Sequence, residues 1–97
     1  MAIKTKAKGS RLERRCIKYL ESQGYLCTRA AGSIGVWDII AISAKQVLLI
    51  QVKANRKPGK AERQRMADFA IPLENVVKQL WVYVDGKPRD PIVTEVG

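Results

Sequence analysis

The 97-residue chain has no histidine, and that absence excludes whole classes of chemistry. Zinc sites built on imidazole fall away, and so does hydrolysis by a Ser-His-Asp triad. Any hydrolytic chemistry must rest on carboxylates, amides and amines. Cysteine is scarce as well: Cys16 and Cys27 are the only two, and their spacing makes no disulfide framework. Both read as small core hydrophobes in a reducing compartment. No apolar run is long enough to span a bilayer, so a membrane is not among the expected partners. The basic N-terminal stretch lacks the apolar segment of a secretion signal, which leaves the cytoplasm as the expected location. Acidic side chains are also few, 9 Asp and Glu against 18 Lys and Arg, for a net charge of +9.

Such a positive excess on a small chain points to a polyanionic partner, most often nucleic acid. A merely solubilising surface is the alternative. The length suggests one domain over residues 1–97, with residues 1–9 as a basic arm. A domain this short buries little core and gains from oligomerisation.

The hydropathy pattern predicts the element order α-β-β-β-α-β-β, an α/β fold with a mixed central sheet flanked by helices. Ser10 is a good N-cap for the first helix, and Glu13 completes an S-x-x-E capping box. Leu12, Cys16, Ile17 and Leu20 recur at helical spacing, and Gly24 is placed to end the helix. Strands are expected at Tyr25–Ala30, Val36–Ile42, Val47–Lys53 and Lys78–Val84, with a short one at Ile92–Val96. A second helix is expected over Ala61–Ile71, ahead of Pro72.

The segment from Val36 to Lys53 carries the chemistry. If Ser43–Gln46 closes an even hairpin loop, Ile39 faces Ile50, Ala41 faces Leu48 and Trp37 faces Val52. Both faces of that pair are apolar, as in central strands. Asp38 and Gln51 break the pattern together, since they come out opposite one another. Lys53 shares the face of Gln51 because side chains alternate along a strand. A polar cluster at the end of an apolar sheet implies mutual pairing or a metal. Glu13 lies at the buried edge of the first helix and joins them by spacing, unless it serves only as a cap. Carboxylate and amide oxygens suit Mg²⁺, and a neighbouring lysine suits phosphodiester hydrolysis. An ordinary Asp–Lys salt bridge at a sheet end is the simpler reading of Asp38 and Lys53.

Three pieces in order, GSRLERRCIKYLESQGY, TRAAGSIGVWDIIA and LLIQVKA, are together far more specific than any one of them. Through them, over Gly9 to about Ala54, the chain resembles the archaeal-type Holliday junction resolvases of the PD-(D/E)XK nuclease superfamily. The resemblance implies a restriction-endonuclease-like fold and a homodimeric, Mg²⁺-dependent endonuclease that cuts four-way DNA junctions. Flaps, nicks or duplex DNA are alternative substrates for a nuclease of this fold, and a non-cleaving DNA-binding module is the alternative to a nuclease. By that likeness Glu13 and Asp38 match metal-site acids and Lys53 the catalytic lysine. Arg14 and Arg29 match phosphate-holding residues, and Ser33 a loop serine near the scissile strand. Gln51 and the Val52 backbone carbonyl complete the expected metal donors, with Mn²⁺ as a possible substitute ion. The family usually has Glu where Gln51 stands, so this site is short of one negative charge.

Lys8, Arg11, Arg14 and Arg15, then Arg29, then Arg56, Lys57 and Lys60 are the candidate DNA-binding residues. Met66, Phe69 and Ala70 form an apolar strip on the second helix, which packs either on its own sheet or on a second subunit.

Overall fold

A computed structural model describes residues 2–30, 35–70, 74–85 and 90–96, with side chains from residue 11 onward. The elements follow the predicted order: α1 (Ala2–Ser22), β1 (Leu26–Arg29), β2 (Ile39–Ile42), β3 (Val47–Ala54), α2 (Lys60–Asp68), β4 (Val76–Tyr83) and β5 (Ile92–Glu95). The five strands form one mixed sheet in chain order. β1, β2 and β3 are antiparallel neighbours, β4 runs parallel to β3, and β5 runs antiparallel to β4. The parallel β3–β4 pair is joined through α2, as a parallel connection requires.

α1 begins at Ala2, eight residues before the expected N-cap, so Ser10 lies inside the helix and Glu13 closes no capping box. The reason is local. Ala2, Ala7 and the lysines at 4, 6 and 8 are strong helix formers, and they carry the helix through Gly9 at a cost of about 1 kcal/mol. One consequence is electrostatic: positions 4, 8, 11, 15 and 18, all basic, now recur along one continuous helix at i, i+4, i+7 spacing. At the other end Gly24 takes φ +94°, and the Tyr25 N–H reaches back to the Leu20 carbonyl at 3.1 Å.

The β2–β3 hairpin has the register that its apolar pattern predicts. Ile39 pairs with Ile50, Ile40 with Leu49, Ala41 with Leu48 and Ile42 with Val47. Ser43 holds the turn, its hydroxyl accepting from the N–H groups of Lys45 and Gln46 at 3.2 and 3.1 Å.

The strands β1 and β5 at the edges of the sheet are largely exposed, while its central strands are buried on both faces. On one, Leu12, Cys16 and Leu20 of α1 pack against Ile39, Ala41, Leu48 and Ile50. On the other, Met66 of α2 packs with Trp37, Leu49, Leu80 and Val82. Trp37 therefore does not face Val52, which packs against the α1-side core. The ladder stops at Ile39, and the Asp38 N–H bonds to the Ile50 carbonyl at 2.8 Å, which turns the chain before Trp37. Phe69 meets the Trp37 ring edge-on at 5.8 Å. Gly35, at φ +53°, leaves room for it; a Cβ there would lie 3.1 Å from a Phe69 ring carbon.

α2 ends at Asp68, short of the expected Ile71, because Phe69 turns to extended backbone at ψ 116°. Among the described residues no helix is long and apolar enough to cross a membrane.

Candidate active site

Asp38 stands where the β2–β3 ladder ends. Its Oδ2 accepts the Val52 N–H at 2.8 Å, a donor that has no ladder partner beyond Ile39. The carboxylate thus caps the open end of the hairpin, and it is not directly opposite Gln51 as a continued ladder would have put it. Burial raises the Asp38 carboxyl above its ordinary range; the Val52 N–H and Lys53 pull it back, and the charge of Glu62 raises it further.

Gln51 lies on the α2 side of β3, with Leu49, and is 3% exposed. Its amide donates to the Val36 carbonyl at 3.2 Å and to Glu62 Oε2 at 2.9 Å. Its Oε1 is buried and accepts no hydrogen bond. Lys53, two residues on, extends Nζ to Glu62 Oε1 at 3.3 Å. Gln51 and Lys53 therefore do share a side of the strand, and both meet the same carboxylate.

Glu13 approaches from the other face. It projects from α1, and Arg29 at the end of β1 holds its Oε1 at 3.5 Å. Burial raises the Glu13 carboxyl, and the Asp38 charge raises it further, against a lowering by Arg29. Asp38 is the point where the two faces meet, since its charge is felt by Glu13 on one side and it feels Lys53 and Glu62 on the other.

Glu62 is the site residue that the sequence reading missed. It stands in the run KAERQR, which reads as a solvated charged stretch. One signal was available: Glu62 precedes Met66 by one helical turn, and Met66 is the buried residue of α2. A side chain four residues before the buried position faces the sheet.

The donor set fits a divalent cation in kind. It offers carboxylate and amide oxygens, one of them a buried acceptor with no donor, and two carboxyls whose negative charges disfavour one another. Among the described residues no three His, Cys, Asp or Glu side chains group closely enough to hold a metal by themselves. Glu13 is turned to Arg29 and Glu62 to Lys53, so an amide or backbone oxygen would have to complete the set.

The remaining candidates differ in their exposure. Arg11, Arg14, Arg56, Lys57 and Lys60 are exposed. Arg15 stacks over the Tyr83 ring at 4.9 Å, which draws it toward β4. Lys8 lies in α1, where only the backbone is described, and Ser33 lies outside the described residues. Met66 is fully buried within its own subunit's core and has no surface for a partner; Phe69 is half-buried and Ala70 exposed.

A mixed sheet with Asp38, Gln51 and Lys53 toward one end of its central hairpin and Glu62 against them is in keeping with the class of nucleases of mixed α/β fold. Residues 4–80 match the family described as archaeal Holliday junction resolvase (Hjc). The chain belongs to that family of DNA-junction endonucleases. Its fold is similar to that of Archaeoglobus fulgidus Hjc, described as a Holliday junction resolvase from an archaeal hyperthermophile. The TM-score is 0.68 at 22% identity, over 92% of this chain and 71% of that one.

Proposed function

We propose that this chain, acting as a single nuclease domain, cuts four-way DNA junctions by Mg²⁺-dependent phosphodiester hydrolysis. The observation that supports the reading is that Asp38 accepts the Val52 N–H while Gln51 and Lys53, the residues on either side of Val52, both meet Glu62. Asp38, the Gln51 carbonyl oxygen, Glu13 and the Val52 carbonyl would hold the ion. When bound, a divalent cation polarises a phosphodiester and lowers the pKa of water.

The other roles belong to the chain's own residues. The Lys53 ammonium faces the phosphate whose negative charge grows in the transition state, and it orients the attacking water. Its pairing with Glu62 fixes that ammonium in place rather than leaving a flexible stem to search. Glu13 does the same for the Arg29 guanidinium, which is aimed at a phosphate of the substrate. Arg11, Arg14 and Arg15 on α1, with Arg56, Lys57 and Lys60 after β3, bind the phosphates of the branched substrate without reading bases. Lys8, by its charge and its position in α1, and Ser33, from the resemblance, are assigned to the DNA and to the scissile strand. A homodimer would set two sites against opposed strands, as paired junction cleavage needs. With Met66 interior, Phe69 and Ala70 are what the strip can offer to such an interface.

The test is incubation of the protein with a synthetic four-way junction, a flap and plain duplex, each with Mg²⁺, with Mn²⁺ and with EDTA. Paired symmetric nicks in the junction alone, in metal only, are expected. Cleavage of flap or duplex at the same rate would move the substrate assignment. Binding without cleavage in either metal would favour a non-cleaving junction-binding protein.

A further inference from the structure

We propose that Glu62 supplies the negative charge that position 51 lacks, so that the metal site of this chain is completed by a carboxylate from α2 rather than from β3. This rests on the metal-dependent nuclease reading above. It adds a residue to that site which neither the fold nor the family match assigns.

The amide of Gln51 has only one orientation that its neighbours allow. Side-chain amide orientation is set by hydrogen-bond partners. Here both neighbours, the Val36 carbonyl and Glu62 Oε2, are acceptors, so the NH₂ must face them. That leaves Oε1 as an acceptor with no donor on a side chain 97% removed from solvent, given its 3% exposure. A buried acceptor left open in this way is costly, and a cation is one of the few things that satisfies it. Glu62 meets the nitrogen end of that amide and Oε1 is its other end, so a Glu62 carboxylate that turns from the amide nitrogen can reach a cation held by Oε1.

Charge complementarity makes positions 51 and 62 a matched pair. A glutamate at 51 would set a second carboxylate at about hydrogen-bond distance from Glu62, where two like charges cannot both ionise cheaply. With glutamine at 51, one carboxylate remains, and it has moved from the strand to the helix. The first turn of α2 is a favourable place for it, because the helix N-terminus is partially positive. Glu62 also pairs directly with Lys53 at 3.3 Å, so it stands beside the lysine assigned to the site. With Glu62 added, the donors would be the carboxylates of Glu13, Asp38 and Glu62 with the Gln51 amide oxygen and the Val52 carbonyl; Glu13 and Glu62 are turned to Arg29 and Lys53, so the three acids do not yet group among the described residues.

The experiment is Mn²⁺ titration by calorimetry on the DNA-free protein, for wild type, Asp38→Asn, Glu62→Gln, Gln51→Glu and the double variant Gln51→Glu/Glu62→Gln. The Mn²⁺-induced rise in melting temperature is a second readout, and melting in EDTA shows that each variant is folded. Glu62→Gln should weaken Mn²⁺ binding roughly tenfold or more, comparable to the loss of a metal-site partner. The double variant, with the acid returned to the strand, should recover to within about threefold of wild type, since one carboxylate replaces the other. Glu62→Gln binding as wild type while Asp38→Asn binds weakly would overturn the Glu62 proposal and leave the site reading intact. Weakening by Glu62→Gln without recovery in the double variant would overturn the exchange of charge between the two positions. Wild-type binding by Asp38→Asn as well would overturn the site reading itself.

Discussion

The two faces of the sheet bury the same strands against one helix each, but they do so with different materials. The α1 face packs Leu12, Cys16 and Leu20 on aliphatic and aromatic residues, with no polar side chain buried among them. The α2 face has a smaller core around Trp37 and Met66, and next to it sits Gln51, the buried polar residue of the described chain. Consecutive residues of one strand, Ile50 and Gln51, belong to the two different solutions. The contrast teaches where stability and where function reside: a fold optimised only for burial would not bury an amide whose nitrogen meets a carboxylate and whose oxygen is left unpaired.

The largest effect expected from breaking this contrast is on chemistry. Asp38→Asn keeps the shape of the side chain at the junction of the two faces but removes its charge. Cleavage of a four-way junction should fall on the order of a thousandfold. Junction binding, which depends on the arginines and lysines, should stay largely intact in a gel-shift or anisotropy titration. Cleavage by the variant at the wild-type rate would remove Asp38 from the site.

Next comes stability, read on neighbouring residues. Ile50→Ala opens a cavity in the α1-side core and should cost about 2–5 kcal/mol in denaturant unfolding. Gln51→Leu should cost less, about 1–2 kcal/mol, because it removes an unsatisfied acceptor but leaves the Val36 carbonyl and Glu62 without their donor. Equal losses would mean that Gln51 is structural.

The smallest effect sharpens the contrast through the two thiols. Cys16 is fully buried under α1, and burial, with smaller contributions from Cys27, Glu13 and Asp38, pushes its thiol up to about 12. Cys27 is half-buried, and its thiol is raised chiefly by burial and then by Glu21. A raised thiol has less reactive thiolate at any given pH. In a native-state labelling experiment at pH 8, Cys27 should react slowly and Cys16 only after unfolding. Cys16 labelling as fast as Cys27 would mean that α1 opens from the sheet.

Much of this fold was legible in the sequence because its signals are local. The runs IIAI and VLLIQV, with Ser43 between them, specify a hairpin and its register. Gly24 marks the end of α1, since only glycine takes that conformation without strain. What escaped is either weak local signal summed over many residues or contact between distant ones. The start of α1 at Ala2 depends on summed helix propensity rather than on the strong cap signal at Ser10. The turn of Trp37 onto the α2 side depends on Asp38 capping the Val52 N–H, a bond that strand alternation does not foresee. Glu62 escaped because its role depends on what Gln51 and Lys53 present to it across the sheet–helix gap, and no spacing within the chain encodes that.

The most direct measurement is an anomalous-scattering map from crystals grown or soaked in Mn²⁺. A peak in contact with Asp38 at the end of the β2–β3 hairpin is the predicted result. A fully occupied peak away from Asp38, or none there at a saturating concentration, would contradict the assignment.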